Sequence, residues 1–112
     1  MSKPFVWFHN SNEKPADSAK FYEKLLGWKP AAGPPGMTIF AGASGPFAGI
    51  GEKGGKAAGW VPYAEVDDVD AATKRAVKLG AEVLEVKTRG PAGEFSIVRD
   101  PGGASIALWQ KA

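Results

Sequence analysis

The first half of the chain alternates apolar with polar residues in short stretches and has one segment with helical spacing. Alternation across residues 4–10 predicts a strand, and the spacing of apolar residues in "PADSAKFYEKLL", residues 15–26, predicts a helix. Pro15 suits the first position of a helix, and Gly27 suits the left-handed conformation that often follows the last. Further strands are predicted around Trp28, at 37–41 and at 47–51.

The second half repeats this order of elements. A strand at 60–66 precedes a helix from about Val69 to Leu79, which either Asp67 or Asp68 can cap. Three more strands are predicted, at 81–86, 94–100 and 104–110. Each half of the chain therefore has the pattern of a βαβββ module.

The spacing of two tryptophan–glycine pairs supports an internal repeat. Trp7 lies 20 residues before Gly27, and Trp60 lies 20 residues before Gly80. A module of this size is too small to bury its own sheet face, so we expect the two to combine in one domain spanning residues 1–112. Module 1 covers about 4–51, the glycine-rich linker 52–58, and module 2 about 59–110. The predicted fold class is α+β, with two tandem modules forming a concave mixed sheet, helices on its outer face and a ligand on its concave face.

The composition excludes several kinds of site. The 112 residues carry a net charge of +2 and no cysteine, which excludes disulfides, thiolate nucleophiles and cysteine-ligated metals. The basic residues are scattered, and the densest group, Lys53 to Lys56, is broken by glycines, so no nucleic-acid partner is expected. No apolar stretch is long enough to span a membrane. We therefore expect a cytoplasmic protein with neither a membrane nor a nucleic-acid partner.

Three stretches carry motifs of a known superfamily: "KFYEKLLGW" (20–28), "GWVPYAEVDDVDAATKRAVKLGAEV" (59–83) and "VRDPGGASIALWQ" (98–110). With these motifs the chain resembles the vicinal oxygen chelate superfamily, which includes glyoxalase I, extradiol dioxygenases and bleomycin-resistance proteins. The resemblance covers essentially the whole chain and implies the paired βαβββ fold. It is closest to a glyoxalase-like subgroup whose last strand ends in "ALWQ".

The resemblance also implies where a metal would bind. Metalloenzymes of the superfamily place His or Glu on the first strand, His on the fifth and Glu on the eighth, and these side chains hold a divalent ion. The corresponding positions here are Trp7, Val61 or Trp60, and Ala107. None of these side chains can coordinate a metal, so we expect no metal and no other cofactor.

Strand alternation groups side chains by face, and the resemblance implies that the face of Trp7 is the concave one. On the first strand alternation groups Phe5, Trp7 and His9 on that face and leaves Val6 and Phe8 for the opposite face. A cup lined by aromatic rings and a few polar groups suits a flat or aromatic ligand. The predicted ligand-binding residues are Trp7, His9, Tyr63, Glu65, Ser105 and Trp109.

His9 is the only histidine of the chain, and its role is left open by the sequence. It is a wall residue without chemistry, a polar anchor, or a general base near neutral pH. A metal site that uses His9, Glu65 and water is a further alternative. These two residues are therefore the candidate catalytic groups.

Three functions are compatible with these features. The first is metal-free binding of a small, aromatic molecule, as in the bleomycin-resistance proteins. The second is a metal-dependent lyase, isomerase or dioxygenase of the glyoxalase type, and the third is an interaction or regulatory module whose cup is filled by its own side chains. Whether the protein is an enzyme stays open. A homodimer is predicted because a second chain would cover exposed sheet edges and apolar surface.

Overall fold

The computed structural model describes residues 4–90 and 92–112, which form one open sheet with two helices. Residues 1–3 and Pro91, which the predicted domain includes, lie outside the described residues. The elements in chain order are β1 (Phe5–Asn12), α1 (Pro15–Leu26), β2 (Lys29–Ala32), β3 (Met37–Gly42), β4 (Gly45–Glu52), β5 (Gly59–Glu65), α2 (Val69–Lys78), β6 (Glu82–Gly90), β7 (Gly93–Arg99) and β8 (Ser105–Lys111).

The order of strands across the sheet is β2-β3-β4-β1-β5-β8-β7-β6. The first strands of the two halves, β1 and β5, pair antiparallel at the centre. In each half the first strand also pairs in parallel with the last, β1 with β4 and β5 with β8, and the remaining pairs are antiparallel. The predicted α+β class with two βαβββ modules is therefore confirmed.

Local features of the sequence mark both ends of α1 and the start of α2. Pro15 opens α1, and Gly27 follows it with a φ of 73°, donating its backbone N–H to the Glu23 carbonyl at 2.9 Å. At the start of α2 the Asp68 carboxylate accepts a hydrogen bond from the backbone N–H of Ala71 at 3.1 Å. Of the two aspartates that the sequence allowed as caps, Asp68 is therefore the one that acts.

Large side chains fill the space between α1 and the sheet. Phe40 of β3 and Ile50 of β4 are fully buried against Ala19 of the helix. Trp28 stacks on Tyr22, with ring centroids 5.6 Å apart, at the edge of this cluster. The burial of these rings and aliphatic groups is the main force that holds α1 on the sheet.

The α2 helix is fixed to the sheet by hydrogen bonds as well as by packing. Its first residue, Val69, is buried, and the backbone N–H of Val69 donates to the side-chain oxygen of Gln110 at 2.9 Å. The hydroxyl groups of Thr73 and of the fully buried Ser96 lie 2.7 Å apart. Buried polar groups that are satisfied in this way favour a single orientation of the helix.

One predicted orientation is wrong. Alternation placed Phe5 on the face of Trp7, but the pairing of β1 with β5 shifts between these two residues. Phe5 instead packs edge-on against Phe8, with ring centroids 6.1 Å apart. Val6 takes its place on the concave face. An irregularity of one residue is enough to exchange two neighbouring side chains between the faces of a sheet.

In the described part of the chain, neither helix is long and apolar enough to cross a membrane.

We expect Gly93→Ala to destabilise the protein by about 2 kcal/mol or more, because a methyl group has no space there. A Cβ atom on Gly93 would overlap the backbone oxygen of Gln110 and lie 2.9 Å from the Cα atom of Lys111. Urea unfolding followed by circular dichroism measures the change. Gly54→Ala is the matched control, since a Cβ atom on Gly54 meets nothing within 4 Å. Equal unfolding midpoints for the two variants would contradict the expectation.

Candidate functional site

A cavity of about 510 Å³ lies on the concave face of the sheet, opposite the two helices. Alternation along β4 shows the division between the faces: Ile50 points to α1, and its neighbours Gly49 and Gly51 face the cavity. Both modules contribute to the lining, so neither encloses the cavity alone. From module 1 the lining includes Trp7, His9, Met37 and Ile39, and from module 2 it includes Tyr63, Phe95, Ile97 and Trp109.

One row of paired residues crosses the centre of the sheet. Trp7 of β1 is the partner of Tyr63 on β5, which is the partner of Ala107 on β8. The row continues through Ile97 on β7 to Glu85 on β6. The row thus has two large aromatic side chains at one end, the small Ala107 side chain near its centre and the Glu85 carboxylate at the far end. The small Ala107 side chain leaves room for a ligand above the centre of the row.

A second row places His9 above glycines. His9 is paired with Val61 on one side and with Gly49 on the other, and Gly49 is paired with Ile39. A Cβ atom on Gly49 would lie 3.0 Å from Cζ2 of Trp7 and 3.3 Å from Nδ1 of His9. Because Gly49 has no side chain, the rings of Trp7 and His9 can occupy this space.

His9 is a half-buried, uncharged group at the cavity wall. Burial lowers the pKa of His9 from its usual 6.5, so the neutral ring predominates near pH 7. Within the described residues the ring makes no hydrogen bond, which leaves one nitrogen to donate and one to accept toward the cavity. The three roles that the sequence left open for His9, a wall residue, a polar anchor and a general base, stay predictions.

Tyr63 presents a protonated phenol to the same cavity. Burial raises the pKa of Tyr63 to about 12, and the negative charge of Glu85 adds to this effect. The ring of Tyr63 lies beside that of Phe95, with centroids 5.6 Å apart and the planes tilted by 47°. At neutral pH the phenol is a hydrogen-bond donor at the edge of an aromatic surface.

Four of the six predicted ligand-binding residues surround the cavity: Trp7, His9, Tyr63 and Trp109. Glu65 and Ser105 are not among the described residues that line it. Glu65 is the last residue of β5, beyond the last paired residue of β1, and Ser105 is the first residue of β8, paired with Arg99. The candidate catalytic pair of His9 and Glu65 is thus not brought together at the cavity.

Other residues of the cavity were not singled out by the sequence. Phe95 and Ile97 alternate correctly on a predicted strand, and this was the available signal for their position. Glu85 lies on the predicted strand 81–86, but the irregularity between Val83 and Glu85 interrupts its alternation. No periodic signal existed for Gly55 and Ala57 of the linker, which also line the cavity. Their position at the cavity depends on where the linker and the edge strand β6 lie relative to the central strands.

The donor set does not fit the divalent ion of the superfamily. At the ligand positions stand Trp7, Val61 or Trp60, and Ala107, and none has a side-chain oxygen or imidazole nitrogen to offer. Across residues 4–90 and 92–112, no three side chains of His, Asp or Glu cluster closely enough to hold a metal. His9 is therefore a possible metal ligand, but it does not belong to any group of three such side chains in the described residues.

Comparison with known proteins identifies the class. A family model described as "Glyoxalase-like domain" matches residues 8–109, and the chain therefore belongs to this family, within the vicinal oxygen chelate superfamily.

Two relatives show the range of names within the family. "Putative glyoxylase CFP32" of Mycobacterium tuberculosis is 31% identical over 93% of this chain and 44% of its own length. "Anthracycline biosynthesis protein DnrV" of Streptomyces peucetius is 31% identical over 95% of this chain and 46% of its own length. The chain thus spans about half the length of the curated relatives that it matches.

Solved structures show the same fold. A glyoxalase/bleomycin resistance protein/dioxygenase superfamily member from Vibrio splendidus 12B01 superposes with a TM-score of 0.66 at 12% identity, covering 99% of this chain and all of the other. A methylmalonyl-CoA epimerase of Streptomyces coelicolor gives 0.65 at 14% identity, covering all of this chain and 99% of the other. At these identities the likeness concerns the fold alone.

We expect His9 to titrate below pH 6.5, and the stability of the protein to fall as the pH decreases through that region. Because the folded-state pKa is lowered, the unfolded chain binds more protons below pH 6.5, so His9 contributes stability above this pH that is lost on acidification. NMR titration of the ring protons of this single histidine gives the pKa directly. Urea unfolding at several pH values should show this component in the wild type and not in His9→Gln. A ring titration at or above pH 6.5 would contradict the expectation.

We also expect the protein to retain far less than one metal ion per chain after exposure to Zn, Ni, Fe or Mn and removal of the excess. The reason is the donor set, since a tight site needs about three good protein ligands. Elemental analysis of untagged protein measures retention, with His9→Ala beside it. One bound ion per chain in the wild type and none in the variant would make His9 a ligand and contradict the expectation.

Proposed function

We propose that this chain binds a small, planar aromatic molecule in the cavity between its two modules, without the help of a metal ion. The observation that carries the proposal is the lining of the cavity, in which the rings of Trp7, Tyr63, Phe95 and Trp109 surround an open volume. Ligand pockets of proteins are commonly about 300–1,000 Å³ in volume and mainly apolar, with a few polar groups that orient the ligand. The cavity has these properties.

Two polar groups are available to orient such a ligand. The phenol of Tyr63 donates a hydrogen bond, and the neutral ring of His9 donates one and accepts one. Both lie on the two central strands, where the backbone is held by pairing on either side. Stacking on the aromatic rings would supply most of the affinity, and these groups would supply orientation.

The named relatives support an aromatic ligand. Two relatives, from Streptomyces peucetius and Streptomyces sp. strain C5, are named anthracycline biosynthesis proteins. Anthracyclines are planar, polycyclic aromatic compounds, and a cavity walled by flat rings is suited to a molecule of this shape. Because the chain spans about half of these relatives, the proposal concerns binding by this domain and not their whole activity.

An enzymatic reaction of the glyoxalase type is the second candidate, and the relatives named glyoxylase favour it. The metal-dependent form of this chemistry lacks its ligands here, whereas His9 is a base without a partner in the described residues. The third candidate, a cup filled by its own side chains, is disfavoured by the open volume. The homodimer and the cytoplasmic location stay predictions.

We expect Trp7→Ala to weaken the binding of a planar aromatic probe, 2-naphthylmethanol, by about tenfold, because the variant removes one stacking surface. Isothermal titration calorimetry measures the affinity. Trp60→Ala is the matched control, since Trp60 lies outside the cavity, where its indole N–H donates to the Tyr22 hydroxyl at 2.9 Å. We expect the control to bind as the wild type does.

The same titration with Tyr63→Ala gives an independent check, since Tyr63 is the β5 residue paired with Trp7. Thermal melts establish that each variant is folded before its affinity is interpreted. If Trp7→Ala and Tyr63→Ala both bind the probe with wild-type affinity, the cavity is not the binding site.

A further inference from the structure

The charged groups around the cavity are unevenly distributed. Among the described residues that line it, Glu52 and Glu85 are acidic, and none is lysine or arginine. His9 contributes little positive charge near neutral pH, because burial lowers its pKa. The chain as a whole has a net charge of +2, so this acidic character is local to the cavity.

The two carboxylates differ in position. Glu52 is exposed at the end of β4, whereas Glu85 is half-buried in β6. Glu85 occupies the far end of the row that begins with Trp7 and Tyr63, and the short Ala107 side chain lies between. From β5 to β6 this row spans three strand spacings, about 14 Å along the sheet. A ligand stacked at the aromatic end would therefore direct its other end toward Glu85.

The linker covers the Glu85 carboxylate on one side. A Cβ atom on Gly55 would lie 2.9 Å from Oε1 of Glu85, so the linker passes close to this carboxylate. Among the described residues, no hydrogen bond or ion pair holds this carboxylate. Its charge reaches Tyr63 across the cavity, where it adds to the rise in the pKa of the phenol. The carboxylate is thus partly removed from water and directed at the cavity.

We propose that Glu85 anchors a positively charged group of the ligand, so that the cavity selects aromatic cations over neutral and anionic molecules of the same shape. This inference rests on the proposed function and adds the charge of the ligand to its shape. A half-buried carboxylate without a partner is costly, and a cation that pairs with it recovers that free energy. An anion, in contrast, is repelled by the same carboxylate.

Three probes that share one ring system test the proposal: 2-naphthylmethylammonium, 2-naphthylmethanol and 2-naphthoate. Calorimetry at low salt should give about tenfold tighter binding of the ammonium than of the alcohol, the effect of one charge-assisted hydrogen bond. The carboxylate probe should bind most weakly. In Glu85→Gln the ammonium and the alcohol should bind with similar affinity.

The Glu85→Gln variant should also bind 2-naphthoate more tightly than the wild type does, because a repulsive charge has been removed. A misfolded variant could not produce such a gain. Glu82→Gln is the matched control: it removes one charge from the same strand, outside the cavity, where Glu82 pairs with Arg99 at 2.8 Å on the surface. This control should keep the wild-type preference for the ammonium.

The outcomes separate this inference from the proposed function. If the wild type binds the alcohol as tightly as the ammonium, or if Glu85→Gln keeps the preference, Glu85 is not the anchor, and the aromatic cavity stands. If none of the three probes binds to the wild type, the proposed function is wrong, and this inference fails with it.

Discussion

The antiparallel pairing of β1 with β5 is the contact on which the rest of the structure depends. It joins the first strands of two modules, each too small to bury its own sheet face, into one sheet of eight strands. Its register sets Trp7 beside Tyr63 and His9 beside Val61 on the concave face. A shift of one residue would turn these side chains toward the helices, so the site and the joining of the modules are fixed by the same hydrogen bonds.

The cavity exists because strands β4 and β8 carry small residues on the concave face. On β4, the residue between them on the helix face is large. Gly49 and Gly51 of β4 flank Ile50, which is fully buried under α1. On β8, Ala107 occupies the corresponding position in the second module. Ordinary side chains at these three positions would fill the space that the rings and a ligand need. The same strands therefore pack a core on one side and leave a pocket on the other.

The site also illustrates how one fold supports different chemistry. The superfamily fold is retained, but aromatic and aliphatic side chains stand at the positions where metalloenzymes of the superfamily place their ligands. A metal site selects ligands by their donor atoms, whereas this cavity offers flat surfaces, a phenol, a neutral imidazole and two carboxylates. Since function resides in the site and not in the fold, membership of the glyoxalase-like family alone does not assign a reaction to this chain.

Much of the molecule follows from local features of the sequence. Periodicity gives the two helices and the eight strands, and Pro15, Gly27 and Asp68 mark helix ends because capping depends on neighbouring backbone groups. Alternation also groups Trp7 with His9 on one face of β1, because the two-residue period of a strand is local. The family resemblance implied that this face, and that of Tyr63 on β5, is the concave one.

Position within that face was decided only by the tertiary structure. Glu65 lies on a predicted strand and has the expected period, yet the end of the β1–β5 pairing leaves it away from the cavity. The irregularity between Phe5 and Trp7, which arises in the pairing of β1 with β5, places Val6 instead of Phe5 on the concave face. Glu85 reaches the cavity because four strand pairings connect it to Trp7 and the linker passes over it. The sequence by itself determined the elements and, away from the irregularity in β1, which side chains of a strand share a face, since both depend on neighbouring residues. The meeting of side chains at one site depends on contacts between residues far apart in the chain, and no local pattern contains that information.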